Sequence, residues 1–268
     1  MGFLHKIPVE YYAFTALLNF LTCFSLAFFI LLRSYKSSIN RSFAAFCLCI
    51  AQWSFFYFFW LSTPDVETAG FFFRTCMVGV IFMPVTFTHF VIAFTRMKMS
   101  KVFLRTNYCI SIVFVLVVYS ELFAYGGSSY FTIPFWPFPG KLFPLHLLHF
   151  FLNIVFSYGV LIRVFRQSTG VFRQQNRYVI FGTIVGFIGG ATNYFAWYRI
   201  ALPPVFNVSA SLGVPIITYA ILKYRLMDIK VALTRAGIFL FVYVFVLGVP
   251  FVFGFVSGLW KWAVLLMG

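Results

Sequence analysis

Acidic residues are scarce in this chain: only five Asp and Glu stand among 268 residues, and none sits in the middle of a long apolar run. Proton-driven pumps and many transporters relay charge through intramembrane carboxylates, so that scarcity counts against them. Hydrolytic catalysis fares no better. The sequence has no paired carboxylates, no Ser with a neighbouring His and acid, and no metal-protease motif. The five cysteines, Cys23, Cys47, Cys49, Cys76 and Cys109, form no pair with metal-finger spacing and read as small apolar residues in or beside apolar runs. His146 and His149 have no third His, Cys or carboxylate beside them, so neither a metal ion nor a cofactor is expected.

What the chain has in quantity is apolar length. It is 62% hydrophobic and 9% charged, with a mean hydropathy of +0.96. A water-soluble core of this size cannot hide that much apolar surface, so lipid is its solvent. A bilayer needs about 20 apolar residues per helix, and eight stretches come close: Tyr11 to Leu32, Ser42 to Leu61, Phe71 to Phe94, Tyr108 to Phe123, Leu145 to Leu161, Tyr178 to Trp197, Val205 to Leu222 and Gly237 to Leu259. They are apolar on all sides, whereas barrel strands alternate over about ten residues. The expected fold is an all-α integral membrane protein, a bundle of seven transmembrane helices plus an eighth. Residues 1–222 would form the bundle, 223–236 a cytoplasmic amphipathic joint, and 237–268 the eighth helix with a cut-off outer end.

Charge writes a topology onto these spans. Fifteen of the twenty Lys and Arg fall in four stretches, Arg33 to Arg41, Arg96 to Arg105, Arg163 to Arg177 and Lys223 to Arg235, each following every second span. The alternate connections hold Glu10, Asp65, Glu67 and Glu121, with only Lys6, Arg74, Lys141, Arg199 and Lys261 as bases. Basic short loops remain cytoplasmic, which puts the N-terminus outside. The net charge of +15 is spread over four loops rather than gathered in one patch, so anionic lipid and topology account for it and no nucleic-acid partner is expected. The first span has no charged leader or small-residue cleavage site and is expected to stay in the mature protein.

Between the fourth and fifth spans lies Ala124 to Pro144, which opens with two glycines and then alternates aromatic residues with Pro134, Pro137, Pro139 and Pro144. It reads first as an interfacial loop whose rings sit in the headgroup layer, and second as a lid over the bundle. Gly182, Gly186 and Gly190 recur every four residues in the sixth span and predict close helix packing, within the chain first and across a homodimer second. Pro84, Pro215 and Pro250 fall inside spans and predict bends.

Polar residues inside a bilayer are costly, so their clustering points to a site. His146, His149, Asn153 and Ser157 share one helix face in the fifth span. Asn193, Asn207 and Ser211 would join His146, His149 and Asn153 in the outer half of the membrane, in a pocket open to the outside that takes a small apolar or amphipathic ligand. Interhelical hydrogen bonding is the plainer use of the same residues. His89 and Gln52 read as packing residues.

The run Tyr219, Ala220, Ile221, Leu222, Lys223, Tyr224, Arg225, Leu226, Met227, Asp228, Ile229 resembles the end of the seven-transmembrane N-terminal sensor region of bacterial histidine kinases. Further matches are Pro84 with His89 and Phe90, Gln174 and Gln175 with Arg177, Gly189 and Gly190 with Asn193, and Pro204 with Asn207. Val231 to Tyr243 looks like members that add two more spans before a soluble module. The resemblance implies a sensory input domain, in the bacterial inner membrane, that is not itself an enzyme. It would relay a ligand or membrane state through Tyr224, Arg225 and Asp228 to a cytoplasmic kinase module in cis or in trans. Nothing in these residues resembles the phospho-accepting helix or the ATP-binding domain. A transporter or accessory membrane subunit is the alternative reading.

Overall fold

The computed structural model describes residues 7–223. The chain divides into two compact units, Met1–Ala220 and Ile221–Gly268, and the site discussed below lies in the first. The expected joint, the eighth helix, Pro250 and the relay residues Tyr224, Arg225 and Asp228 all lie outside the described residues.

Among the described residues seven α-helices follow in order: α1 (Val9–Ser34), α2 (Ser38–Ser62), α3 (Val66–Thr95), α4 (Lys101–Val117), α5 (Phe143–Gln167), α6 (Gly170–Trp197) and α7 (Ala210–Lys223). Five of them, α1, α2, α3, α5 and α6, are long and apolar enough to cross a membrane. In hydrocarbon the chain can satisfy its own amides only through local bonds, so runs of this composition become helices. Their starts follow elementary capping: the side chain of Asp65 accepts from the N–H of Thr68 at 2.7 Å, and Ser100 accepts from Val102 at 3.2 Å. The helix α4 begins seven residues before the Tyr108 expected for its span and ends at Val117, because Ser100 caps it inside the basic stretch. The segment Val205–Ser209, expected to open the seventh span, is a 3-10 turn that leads into α7.

The outward surface is apolar. Phe24, Phe28 and Leu32 on α1, Val113 and Leu116 on α4, Leu152 and Val155 on α5, and Phe181 and Ile188 on α6 are all exposed. In water such a surface would drive association, whereas against acyl chains it is at rest. Helix α5 is consequently inside out: His146, His149, Asn153 and Ser157 are buried while Leu145, Leu148, Leu152 and Val155 face outward. The basic stretches Arg33 to Arg41, Arg96 to Arg105 and Arg163 to Arg177 surround the α1–α2, α3–α4 and α5–α6 connections, which share one end of the bundle.

At the opposite end the structure corrects the sequence reading. The segment expected to be an interfacial loop is a β-hairpin, β1 (Ala124–Tyr130) paired antiparallel with β2 (Ile133–Pro139). One register shift, between Tyr125 and Ser128, accommodates Gly126 and Gly127, a second falls between Ser128 and Tyr130, and Phe131 turns the corner at φ 53°. An isolated two-stranded ribbon has only edges, so the N–H groups that its prolines lack are not needed for a further strand. The hairpin folds onto the bundle. Trp136, Ile133 and Tyr130 are buried, and the Trp136 ring lies 4.8 Å from Trp60. Two cations that look like stray charges in the sequence hold it. Arg74 donates to the carbonyls of Val118, Ser120 and Ala124 at 2.8, 3.1 and 2.9 Å. Arg199 donates to Trp136 and Ser129 at 2.9 and 3.2 Å, with its guanidinium 4.6 Å from the Phe138 ring.

The glycine stripe of α6 divides by direction. A side chain on Gly182 would collide with Gly213 and Ile217 of α7, and one on Gly189 with Phe206 and Ser209. Gly186 and Gly190 have nothing within 4 Å where a Cβ would stand. The space beside them is a cavity.

Candidate functional site

The polar residues expected to share one pocket lie in two separate clusters. The first joins α3, α4 and α5. Asn153 donates through Nδ2 to Asn107 Oδ1 at 3.1 Å, and His149 Nε2 lies 3.2 Å from the same oxygen. Thr88 donates to Asn153 Oδ1 at 3.0 Å, which leaves the Ser157 hydroxyl, 3.0 Å from Thr88, to donate to it. Asn107 Nδ2 closes the chain on the carbonyl of Phe103 at 2.9 Å. Every amide in this cluster is used, Nδ1 of His149 is its one buried atom without a partner, and a network bonded this densely in hydrocarbon fixes helix register. Asn107 and Thr88 are its unforeseen members. Asn107 was legible only with the α4 boundary in the right place, since a span starting at Tyr108 assigns it to a loop.

The second cluster joins α1, α6 and the start of α7. Asn19 donates to the carbonyl of Asn207 at 2.8 Å and accepts from the backbone N–H of Ser211 at 2.8 Å. The Ser211 N–H is one of the orphan donors at the start of α7, so Asn19 caps that helix from across the bundle. Asn193 donates to Asn207 Oδ1 at 3.3 Å and to the carbonyl of Gly190 at 3.1 Å. Asn19 is the one amide side chain in the apolar run from Tyr11 to Leu32, and that was the available sequence signal for it.

His146 belongs to neither cluster and lines no part of the cavity between α2, α3, α5, α6 and α7. It is completely buried among Phe114, Phe123, Phe143 and Phe150, with ring centroids 5.5, 5.5, 5.9 and 6.4 Å away, and neither ring nitrogen has a partner. Of the six candidate ligand residues, Asn193 lines the cavity and His146, His149, Asn153, Asn207 and Ser211 do not. The other five were drawn into helix contacts because hydrogen-bonding partners lay on neighbouring helices or because rings sealed them off. Among the described residues no group of three His, Cys, Asp or Glu gathers to hold a metal ion.

The cavity itself measures about 130 Å³ and lies between α2, α3, α5, α6 and α7 beneath the hairpin. Its walls are aromatic and aliphatic, including Trp53, Tyr57, Trp60 and Phe73, with Trp136 of the hairpin and Trp197 of α6. Gly186 and Gly190 form part of the α6 wall. Val214 and Ile217 form part of the α7 wall, flanking Pro215. The Phe151 and Ala191 side of the wall reaches the exposed apolar surface between α5 and α6. Among the described residues that line it, none is charged. Four lining residues carry a buried polar atom without a partner: the hydroxyls of Tyr57 and Tyr194, Nε1 of Trp136 and Oδ1 of Asn193.

At the mouth of the hairpin the electrostatics are simple. Burial holds the Tyr130 hydroxyl above its ordinary pKa, and that hydroxyl donates to the carbonyls of Ile200 and Leu202 at 2.5 and 3.1 Å. Burial lowers Arg199 from its ordinary pKa, opposed by the nearby Tyr130, and the guanidinium remains a cation.

The family model described as the N-terminal 7TM region of histidine kinase covers residues 15–230. No curated protein and no solved structure matches the chain.

Proposed function

The chain belongs to the family of N-terminal 7TM regions of histidine kinases, and on that premise we propose that it is a sensory input domain whose ligand occupies the aromatic cavity. It is a multi-pass membrane protein, and the matched region is the membrane sensory part of such kinases rather than the catalytic part. The basic connections face the cytoplasm of a bacterial cell and the hairpin and N-terminus face outward, as the positive-inside rule requires. The cavity then sits toward the outer side, roofed by the hairpin. Asn193 is the member of the original candidate set that meets the ligand, while His149, Asn153, Asn207 and Ser211 hold the helices that form the walls.

The single observation that carries this reading is an aromatic cavity walled in part by the helix that leads toward the output side. Val214 and Ile217 of α7 touch the cavity, and the same helix runs on to Lys223. Pro215 lies between them and removes a backbone donor, which gives α7 a place to bend. An occupant that fits one α7 position better than another shifts the bundle by the difference in its two affinities. Residues 223–236, with Tyr224, Arg225 and Asp228, form the joint that passes the shift to a kinase module in cis or in trans.

The test uses Gly190→Leu, which directs a side chain into the cavity where nothing obstructs it. In membranes holding the protein together with its kinase module, conditioned medium or membrane extract should change autophosphorylation of the wild type by about fivefold or more. The variant should be insensitive. A variant that responds like the wild type removes the cavity from the pathway, and accumulation of small neutral solutes in liposomes holding the wild type would favour a transporter instead.

A further inference from the structure

We infer that the cavity is filled sideways from the bilayer, by the methyl end of a lipid acyl chain that enters between α5 and α6. The inference rests on the reading of the cavity as the sensor pocket and names what that pocket holds. Access comes first. The lining residues that belong to α2, α3, α7 and the hairpin are all buried, and those that keep partial or full exposure belong to α5 and α6, with Phe151 and Ala191 the exposed ones. The mouth therefore lies between these two helices. On the hairpin side the buried rings of Trp60, Trp136 and Trp197 shut the space off. Leu148 and Val155, one turn to either side of Phe151, and Ile188, one turn before Ala191, are exposed too, a surface that suits acyl chains and not water.

Depth selects the part of the lipid. At 1.5 Å per residue, Phe151 stands about 12 Å from the Phe143 end of α5 and Ala191 about 9 Å from the Trp197 end of α6, and both of those ends lie beside the hairpin. In a hydrocarbon layer of roughly 30 Å the mouth is then near the midplane, where chains end and headgroups do not reach.

The walls select the chemistry. Among the described lining residues none is charged, and the unpaired polar atoms of Tyr57, Trp136, Asn193 and Tyr194 are themselves covered, so an occupant meets carbon. A charged or strongly polar group would go unsatisfied there. The space, about 130 Å³, is close to the about 150 Å³ of an apolar cavity that stays dry and takes one benzene ring, which is room for the last few carbons of a chain. An empty apolar void forfeits dispersion contacts, and chain ends are the hydrocarbon present in bulk at its mouth. Straight and methyl-branched ends fill such a space unequally, against a wall that includes Val214 and Ile217 of α7. An unequal fit is what shifts a two-state bundle.

Four of the six tryptophans, Trp53, Trp60, Trp136 and Trp197, line the cavity and are buried. Trp260→Phe and Trp262→Phe, at positions outside the described residues, leave them as the chain's only indoles. This parent chain is placed in nanodiscs of phosphatidylcholine brominated either near the methyl end or near the carbonyl of its chains, since bromine quenches an indole only on close approach. Gly190→Leu, which fills the cavity from α6, sets the quenching due to lipid outside the bundle. We expect Gly190→Leu to lose most of the quenching that methyl-end bromine gives the parent, carbonyl-end bromine to quench the two alike, and Phe151→Ala, which widens the rim, to raise quenching by methyl-end bromine. Equal quenching of the parent and Gly190→Leu by methyl-end bromine would overturn the inference, as would a difference that comes from carbonyl-end bromine. Quenching by bromobenzene in unbrominated nanodiscs, with no difference from either lipid, would give the space to a free small hydrocarbon instead. Protection of the buried Cys23 and Cys47 from a thiol dye checks that Gly190→Leu is folded; were it unfolded, Phe151→Ala decides alone, and no rise over the parent overturns the inference. If the quenching fails while autophosphorylation responds to extract in the wild type and not in Phe151→Ala or Gly190→Leu, the occupant is wrong and the sensor reading stands. If the quenching is as expected and autophosphorylation answers neither extract nor a change from straight to methyl-branched chains, the occupant stands and the sensor reading fails.

Discussion

The α3–α4–α5 contact and the cavity beside α6 solve the same problem in opposite ways. Both place polar atoms inside a bundle surrounded by lipid. In the first, Thr88, Asn107, His149, Asn153 and Ser157 use each other's donors and acceptors, and only the buried Nδ1 of His149 is left unpaired. In the second, Tyr57, Trp136, Asn193 and Tyr194 line open space, and each keeps one buried polar atom without a partner. Polar residues within a membrane therefore do not by themselves mark a site. Unpaired atoms do not mark one either, since both ring nitrogens of His146 are unpaired inside a wall of rings; what sets the second region apart is open space between the helices.

Substitutions can break or sharpen that contrast. The largest effect is expected where α6 has no room: Gly189→Ala forces a methyl into Phe206 and Ser209 and should cost about 3 kcal/mol, read as earlier reaction of the buried Cys23, Cys47 and Cys76 with a thiol dye on heating in detergent. Next comes Asn153→Leu, which leaves the Thr88 proton without its side-chain acceptor and removes one donor from Asn107. It should cost about 1–2 kcal/mol in the same assay, and an unchanged melting profile would mean the network carries no stability. Tyr57→Phe in the ligand-free protein removes a hydroxyl that bonds to nothing, so stability should hold within about 0.5 kcal/mol of the wild type or rise. A loss comparable with that of Asn153→Leu would erase the distinction between the two regions.

The smallest effect lies outside both, at the exposed cap of α3. Hydrogen bonds from Thr68 hold the Asp65 carboxyl below its ordinary pKa. A lowered folded-state value means that the cap's contribution is fully present above the unfolded pKa and is lost as pH falls through the folded one. Melting curves between about pH 5 and about pH 2 should therefore show a small loss in the wild type that Asp65→Asn lacks, since Asn caps without titrating. A shift of equal size in both proteins would assign the pH dependence elsewhere.

Much of the architecture was legible because hydrocarbon leaves a chain few choices. Long apolar runs became helices, and the inward face of α5 was readable from the spacing of His146, His149, Asn153 and Ser157. The hairpin was not legible. Its prolines argue against any interior strand, and only its position as a two-stranded ribbon lying on the bundle makes them harmless. The site was the least legible part. Spacing placed six polar residues in the same half of the membrane, but whether Asn207 turns to Asn193 and Asn19 or into open space depends on which helices adjoin.

Sequence alone determined the solvent of this protein, the helical class, the segregation of its positive charge to one end and, through the Tyr219 to Ile229 run, its kinship. These follow from composition and local periodicity, which act within one segment at a time. Only the tertiary structure decided that Arg74 and Arg199 clamp a hairpin over the bundle, that Gly182 and Gly189 fill contacts while Gly186 and Gly190 border a cavity, and that four polar atoms there remain unpaired. Those outcomes depend on which surfaces meet across many residues of chain, and packing settles them only when all the helices are in place.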